Sequence, residues 1–184
     1  MTPDEVNHCV AACQQGDREA FSLLVLAFQQ KIYGLCWQYL RDQPAAMDAA
    51  ADVFCKAYAA MDRFDPSRPF ASWILTIATR HLLQIRRTGR RRGIPADWPE
   101  QEPTADQEDP EEEMLRLSDQ QQVQAALKTI PDRYRMILHL RYFEDLSYEE
   151  IARILQAPVN TVGSLVSRAR KSMRKALPHR EETP

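Results

Sequence analysis

The chain has 184 residues, 44% of them hydrophobic, which is enough for one large domain or two small ones. Its 24 Lys and Arg against 26 Asp and Glu leave a formal net charge of −2, a figure that on its own argues against a protein coated in nucleic acid. No run of about 18 apolar residues occurs, and the opening MTPDEVNHCVAACQQGDREA has neither a basic start nor an apolar stretch, so neither membrane insertion nor a signal peptide is expected. A cytoplasmic chain fits this, and so do the cysteines. Cys9, Cys13, Cys36 and Cys55 include no CxxC pair, unlike a secreted disulfide framework or a zinc finger.

The total charge hides three blocks. Residues 1–93 carry 12 basic and 9 acidic side chains, residues 94–122 carry 1 and 10, and residues 123–184 carry 11 and 7. The middle block holds four of the 12 prolines and few aliphatic side chains, so it cannot bury enough surface to offset the entropy of ordering. It reads as a flexible acidic linker between two basic segments. With only five glycines and no alternating polar and apolar runs, both segments read as all-α, two small helical domains at 1–93 and 123–184.

In chain order, Asp17 caps a first helix whose Phe21, Leu24, Val25, Phe28, Ile32 and Leu35 form an amphipathic stripe. A second, from about Ala45 to Met61, turns Ala46, Ala49, Val53, Ala57 and Met61 inward and leaves Asp48, Asp52 and Lys56 on another face. The stretch DRFDPSRP, Asp62 to Pro69, breaks that helix with two prolines. A third helix then aligns Phe70, Trp73, Ile74, Ile77, His81 and Ile85, so three helices make the first domain.

The third helix ends in the densest charge cluster of the chain. Arg80, Arg86, Arg87, Arg90, Arg91 and Arg92 fall within residues 80–93 without one acid, and six uncompensated arginines call for a polyanion. If the helix continues past Gly89, a candidate end, Arg80, Arg87 and Arg91 project from one face as contacts to a phosphate backbone require. Phe64, Phe70 and Trp73 lie just upstream; such rings can stack on unpaired bases, although the helical spacing of Phe70 and Trp73 favours core over base platforms.

The last segment opens on IPDRYRMILHLRYFEDLS, where Ile137, Leu138, Leu140 and Phe143 supply a supporting core. Ser147 and Glu150 then form a capping box for the helix YEEIARIL. After the break Gln156-Ala157-Pro158 a second helix runs from about Asn160 to Leu177, which is helix-turn-helix spacing. Ala152 is small where the two helices cross, and Val162 is apolar where it must bury between them. Arg168, Arg170, Lys171, Arg174 and Lys175 follow on the second helix, and residues 151–178 contain no acid, so this helix can enter a major groove.

GDREAF at 16–21, DAAADVFCKAYAAMDRF at 48–64, PFASWILTIA at 69–78 and RRTGRRR at 86–92 resemble domain two of bacterial sigma factors of the extracytoplasmic-function (ECF) class. IPDRYRMILHLRYFEDLSYEEIARIL and APVNTVGSLVSRARKSMRKAL resemble domain four of the same class, and the two occur in order with the acidic linker between them. The resemblance implies a subunit that binds core RNA polymerase and directs it to promoter DNA, in a stress or envelope-signal response, under an anti-sigma partner. It implies polymerase contact through Asp48, Asp52, Val53 and Phe54. It implies minus-ten recognition and melting, with capture of a flipped base, through Phe64, Trp73, Arg80, Arg86, Arg87, Arg90 and Arg91. Minus-thirty-five recognition falls to Thr161, Ser164, Ser167, Arg168, Arg170 and Lys171, while the linker passes through the active-site cleft and RNA exit channel of the polymerase.

The chain departs from the family pattern at four contact positions. Ala51 stands where Gln is frequent and Arg80 where Asn is frequent; Gly163 and Leu165 stand where basic residues are usual. Gly163 costs its helix about 1 kcal/mol, and both it and Leu165 forgo a phosphate or base contact.

His8, Cys9 and Cys13 lie close enough in sequence for a redox or zinc contact if the segment is helical, whereas buried thiols simply pack as small apolar groups. No metal, cofactor or small-molecule substrate is assigned. No nucleophile with a neighbouring base and no Gly-rich phosphate loop occurs, so an enzyme is not expected. A helix-turn-helix regulator acting without polymerase is the alternative; it accounts for the C-terminal half and leaves the Asp48 and Asp52 face and the arginine-rich helix without a role.

Overall fold

A computed structural model of the chain describes residues 1–90 and 120–177. These residues form eight α-helices, a short 3-10 turn and one π-helical turn, and no strand. They fall into two compact units, one N-terminal and one C-terminal. The stretch expected to be the linker lies outside the described residues up to 119, and its last residues belong to a helix that begins at Gln120.

The N-terminal unit has one helix more than the sequence pattern led us to expect. Helix α1, Pro3–Gln14, starts with a capping box: the Thr2 amide donates to Glu5 Oε2 at 2.7 Å and the Glu5 amide donates to Thr2 Oγ1 at 3.3 Å. It buries Val6, Cys9, Val10 and Cys13. Helix α2, Arg18–Leu40, is capped by Asp17, whose Oδ1 accepts from the Glu19 and Ala20 amides, and turns Leu24, Phe28, Ile32 and Leu35 into the core. A fully buried Leu or Ile contributes about 1.5–3 kcal/mol, so this stripe is one of the hydrophobic anchors of the unit.

Helix α3, Gln43–Ala59, packs on α2 through the small side chains Ala46, Ala49 and Ala57 around Val53. Helix α4, Phe70–Arg90, packs on both. Its inner stripe differs from the expected one. Phe70, Ile74, Leu75, Ala78 and Leu82 are buried, with Thr79 and His81, whereas Ile77 and Ile85 are half-buried, because α4 is flanked by α2 on one side and α3 on the other and needs a wider apolar face. The helix continues through Gly89 to Arg90.

In the C-terminal unit, α5, Gln120–Thr129, and α6, Asp132–Leu138, meet at Pro131, where the Arg135 guanidinium donates to the Ile130 carbonyl at 2.6 Å and satisfies the end of α5. A π-helical turn, His139–Phe143, follows. The Glu144 amide donates five residues back to the His139 carbonyl at 3.1 Å, which inserts one residue relative to α-helical register. Phe143, expected in the core, is thereby rotated out to 58% exposure, where its ring stacks on His139, and Leu146 is buried instead.

Helix α7, Tyr148–Leu155, carries the expected capping box, the Ser147 amide donating to Glu150 Oε2 at 2.8 Å and the Glu150 amide to Ser147 Oγ at 3.2 Å. Helix α8, Val159–Ala176, follows, and Ala152 and Val162 are buried as the helix-turn-helix spacing requires. Between them Gln156 adopts a left-handed φ of 54° while the Ala157 amide reaches back to the Ala152 carbonyl at 3.0 Å. That is a Schellman cap with a glutamine where glycine costs least. Gln156→Gly should raise the stability of the C-terminal unit by about 1 kcal/mol, read as a higher denaturant midpoint by circular dichroism; an unchanged or lower midpoint contradicts a strained cap.

Candidate nucleic-acid and partner interfaces

Along the exposed side of α3 lie Met47, Asp48, Ala51, Asp52, Cys55, Lys56 and Tyr58, so an edge with two carboxylates and one ammonium runs beside an apolar one. Tyr58 is braced by an edge contact with Phe21 of α2 at 4.9 Å between ring centroids. Asp48 and Asp52 are thus presented together, one turn apart. Val53 and Phe54 are not: Val53 is fully buried and Phe54 nearly so. Their place is beneath the surface, where they hold α3 against the core, and direct contact with a partner is closed to them.

Asp52 has a neighbour that sequence pattern alone placed in a core stripe. The His81 ring of α4 is 8% exposed, accepts a hydrogen bond at Nδ1 from Lys56 Nζ, and brings Nε2 to 3.3 Å from Asp52 Oδ2. Burial pushes the His81 imidazole below its ordinary value, the Lys56 ammonium adds to this, and the Asp52 carboxylate opposes it.

Between α3 and α4 the chain turns through a 3-10 segment, Met61–Arg63, and an exposed loop to Pro69. The Gln14 side-chain amide of α1 donates to the carbonyls of Met61, at 3.1 Å, and Phe64, at 2.9 Å. The loop beyond is shaped by Asp65, which accepts from the Ser67 amide at 3.0 Å and lies 3.5 Å from Arg68; the Ser67 hydrogen bonds hold its carboxyl below the usual carboxylate range. Phe64 is buried at 4% exposure inside an aromatic cluster with Phe70, at 5.7 Å, and Trp73, at 4.7 Å. It cannot offer a ring face to a base. Trp73 is half-buried and is the aromatic of this cluster that reaches the surface.

Along α4, Arg80 is exposed and Arg86 half-buried, and Arg87 and Arg90 lie on the continuing helix. Arg91 lies outside the described residues. On α8, Val162, Leu165, Val166, Ala169 and Met173 face the core. Ser164, Ser167 and Lys171 share the opposite face with Asn160, an exposed first-turn residue that the sequence pattern did not single out. Thr161 and Arg168 flank that face on one side and Arg170 on the other, all three half-buried. Leu165 is 3% exposed, so its apolar character answers to packing and it was never available for a phosphate. A Cβ on Gly163 would meet only the Tyr148 ring, at 4.0 Å, an ordinary contact.

Three of the four thiols behave as packing groups, and Cys55 is exposed on α3. Cys9, Cys13 and Cys36 are buried while His8 is exposed, and burial pushes Cys36 up to about 12. Burial likewise raises Cys13, with Cys9 and Asp17 adding to it. Among the described residues no group of three His, Cys, Asp or Glu side chains could hold a metal ion, and no helix is long and apolar enough to cross a membrane.

Two expected outcomes follow from this geometry. Gly163→Ala should stabilise the C-terminal unit by about 1 kcal/mol, whereas Leu165→Lys should destabilise it by about 3 kcal/mol or more by burying a charge, both read from chemical denaturation; equal effects at the two sites would refute the assigned faces. Because His81 titrates lower when folded than unfolded, the unfolded state binds the extra proton. Its contribution to stability is present above about pH 6.5 and is lost as pH falls below that value toward the folded-state pKa. Melting temperatures between pH 5 and 7.5 should fall more steeply on the acid side for the native chain than for His81→Gln.

Comparison with known proteins covers both units. The protein-family model for Sigma-70 region 2 matches residues 24–92, and that for Sigma-70, region 4 matches residues 120–173. The RNA polymerase sigma-H factor of Pseudomonas aeruginosa is 37% identical over an alignment of 185 residues, covering 96% of each chain. The ECF RNA polymerase sigma factor SigW of Bacillus subtilis is 33% identical over 172 residues, 89% of this chain and 92% of that one. Two solved structures share the fold at a TM-score of 0.64. One is CnrH in complex with the cytosolic domain of CnrY, 20% identical, covering 93% of this chain and 96% of that one. The other is the sigma factor RpoE of Bartonella quintana with the anti-sigma factor NepR, 22% identical, covering 85% and 95%.

Proposed function

Because the chain belongs to the ECF family of RNA polymerase sigma factors, which direct the polymerase in promoter-specific initiation, we propose a division of that work among its surfaces. The α3 face docks on the polymerase through Asp48 and Asp52, with Met47, Ala51 and Tyr58 as its apolar margin. Carboxylates there steer a basic partner surface and set its register, while apolar contacts slow dissociation. The basic end of α4, with Arg80 and Arg87, and the surface-reaching Trp73 hold the minus-ten region; α8 reads the minus-thirty-five element with Ser164, Ser167, Arg168 and Lys171. The first domain extends over 1–93 and the second begins with α5 at Gln120, three residues before the expected boundary, and the acidic block between them threads the polymerase.

The observation that carries this reading is the ordered pair: an N-terminal helical unit whose residues 24–92, from within α2 through α4, match region 2, and a helix-turn-helix unit matched by region 4, in one chain. A regulator that binds duplex DNA without polymerase needs only the second. The chain does no bond chemistry. Its contribution is differential binding, in which contacts to the opened strand pull the melting equilibrium forward while the upstream element anchors the complex. It works in the cytoplasm beside the polymerase, and an anti-sigma protein is its inhibitory partner, as the complex of the Bartonella relative suggests.

Run-off transcription with core polymerase tests the whole. Transcripts from selected promoters should depend on this chain; specific duplex binding with no stimulation of core enzyme on any promoter would sink the proposal. In the holoenzyme, Arg80→Ala and Arg87→Ala should each lower the slope of log affinity against log salt by about 0.7–0.9. An unchanged slope would remove phosphate contact from α4.

A further inference from the structure

Resting on the reading of the α3 face as the polymerase contact, we propose that His81 is the positioning residue of that face, an imidazole on α4 that holds Asp52 and Lys56 from beneath in fixed relation. The Lys56 ammonium has hydrogens to donate and no lone pair, so the ring nitrogen facing it, Nδ1, is an acceptor. A neutral ring then carries its proton on Nε2, the atom 3.3 Å from Asp52 Oδ2. The tautomer is thus dictated by the lysine, and Nε2 lies within ion-pair distance of Asp52 Oδ2 without the alignment of a hydrogen bond.

The consequence is specific to a docking face. Asp52 and Lys56 are one turn apart on α3, the spacing at which opposite charges pair directly and mask each other. With the ring between them, Lys56 is drawn toward Nδ1 and Oδ2 of Asp52 toward Nε2. The Asp52 side chain stays 64% exposed, free to meet a basic partner group, yet is restrained before it arrives. Restraint in advance removes part of the ordering cost that an exposed carboxylate otherwise meets on association. The ring itself cannot wander, because at 8% exposure it is packed between the two helices.

The test is a set of core-polymerase titrations with the full chain, followed by fluorescence anisotropy, using His81→Leu, His81→Gln, Asp52→Asn and the double variant His81→Leu/Asp52→Asn. His81→Leu should weaken core binding about five-fold. His81→Gln, whose amide oxygen can accept from Lys56 and whose amide N–H can donate to Asp52, should recover most of it. In the double variant the leucine should add little to the loss from Asp52→Asn. Native affinity in His81→Leu alongside lost affinity in Asp52→Asn overturns the positioning role alone, as do additive losses; native affinity in Asp52→Asn overturns the docking face and this role with it. Imidazole nitrogen shifts of the unmodified chain at neutral pH supply a readout independent of the variants' folding. They should report a proton on Nε2, and a proton on Nδ1 or on both nitrogens overturns the inference.

Discussion

The N-terminal unit depends on how the turn between α3 and α4 is closed. A chain leaving one helix and entering another exposes carbonyls that must find partners once they are covered. Gln14 meets that need from α1, donating to both Met61 and Phe64. With the backbone held, Phe64 can turn inward, and it builds with Phe70, Trp73 and Phe28 a connected aromatic cluster that reaches from the loop through α4 to α2. Edge and tilted ring contacts of this kind add directional preference to burial. The loop, α4 and α2 are in this way parts of one packed body.

The C-terminal unit solves a different problem, presenting one face of a helix on a core of short helices. Each of its junctions is closed by a named bond: Arg135 on the end of α5, the Ser147 and Glu150 box at the start of α7, and the Ala157 amide at its end. The π turn at His139–Phe143 shifts register, so that Leu146 packs inside while Phe143 lies outside over the imidazole. With α8 then fixed by Val162, Leu165, Val166, Ala169 and Met173, its opposite face is free to carry a recognition surface.

Charge is arranged on a scale finer than the molecule. A net charge of −2 arises from two basic blocks and one acidic block. Charge acts over about 10 Å at ordinary salt, so what a nearby phosphate meets is the local block and not the total.

The amino-acid order by itself determined the helical class, the two-part organisation, the capping box at Ser147, the crossing pair Ala152 and Val162, and the outward position of Asp48 and Asp52. Each of these depends on a local period or a contact within a few residues, and local physics suffices for them. Helix α1 was legible in its Thr2 and Glu5 box as well, although its short, thiol-bearing face resembles a core stripe only once α2 is beside it. What tertiary structure alone decided is which side of a plausible residue meets solvent. Phe64, given a base-capturing role by resemblance, is drawn in beside a carbonyl clamp from a distant helix, and Phe143, given a core role, is turned out by an added residue in the turn. Leu165 and Val53 are closed off by neighbours remote in sequence, and His81 meets Asp52 and Lys56 only because α4 packs across α3. Burial is a property of the whole packed unit, and no window of sequence contains the partner that enforces it.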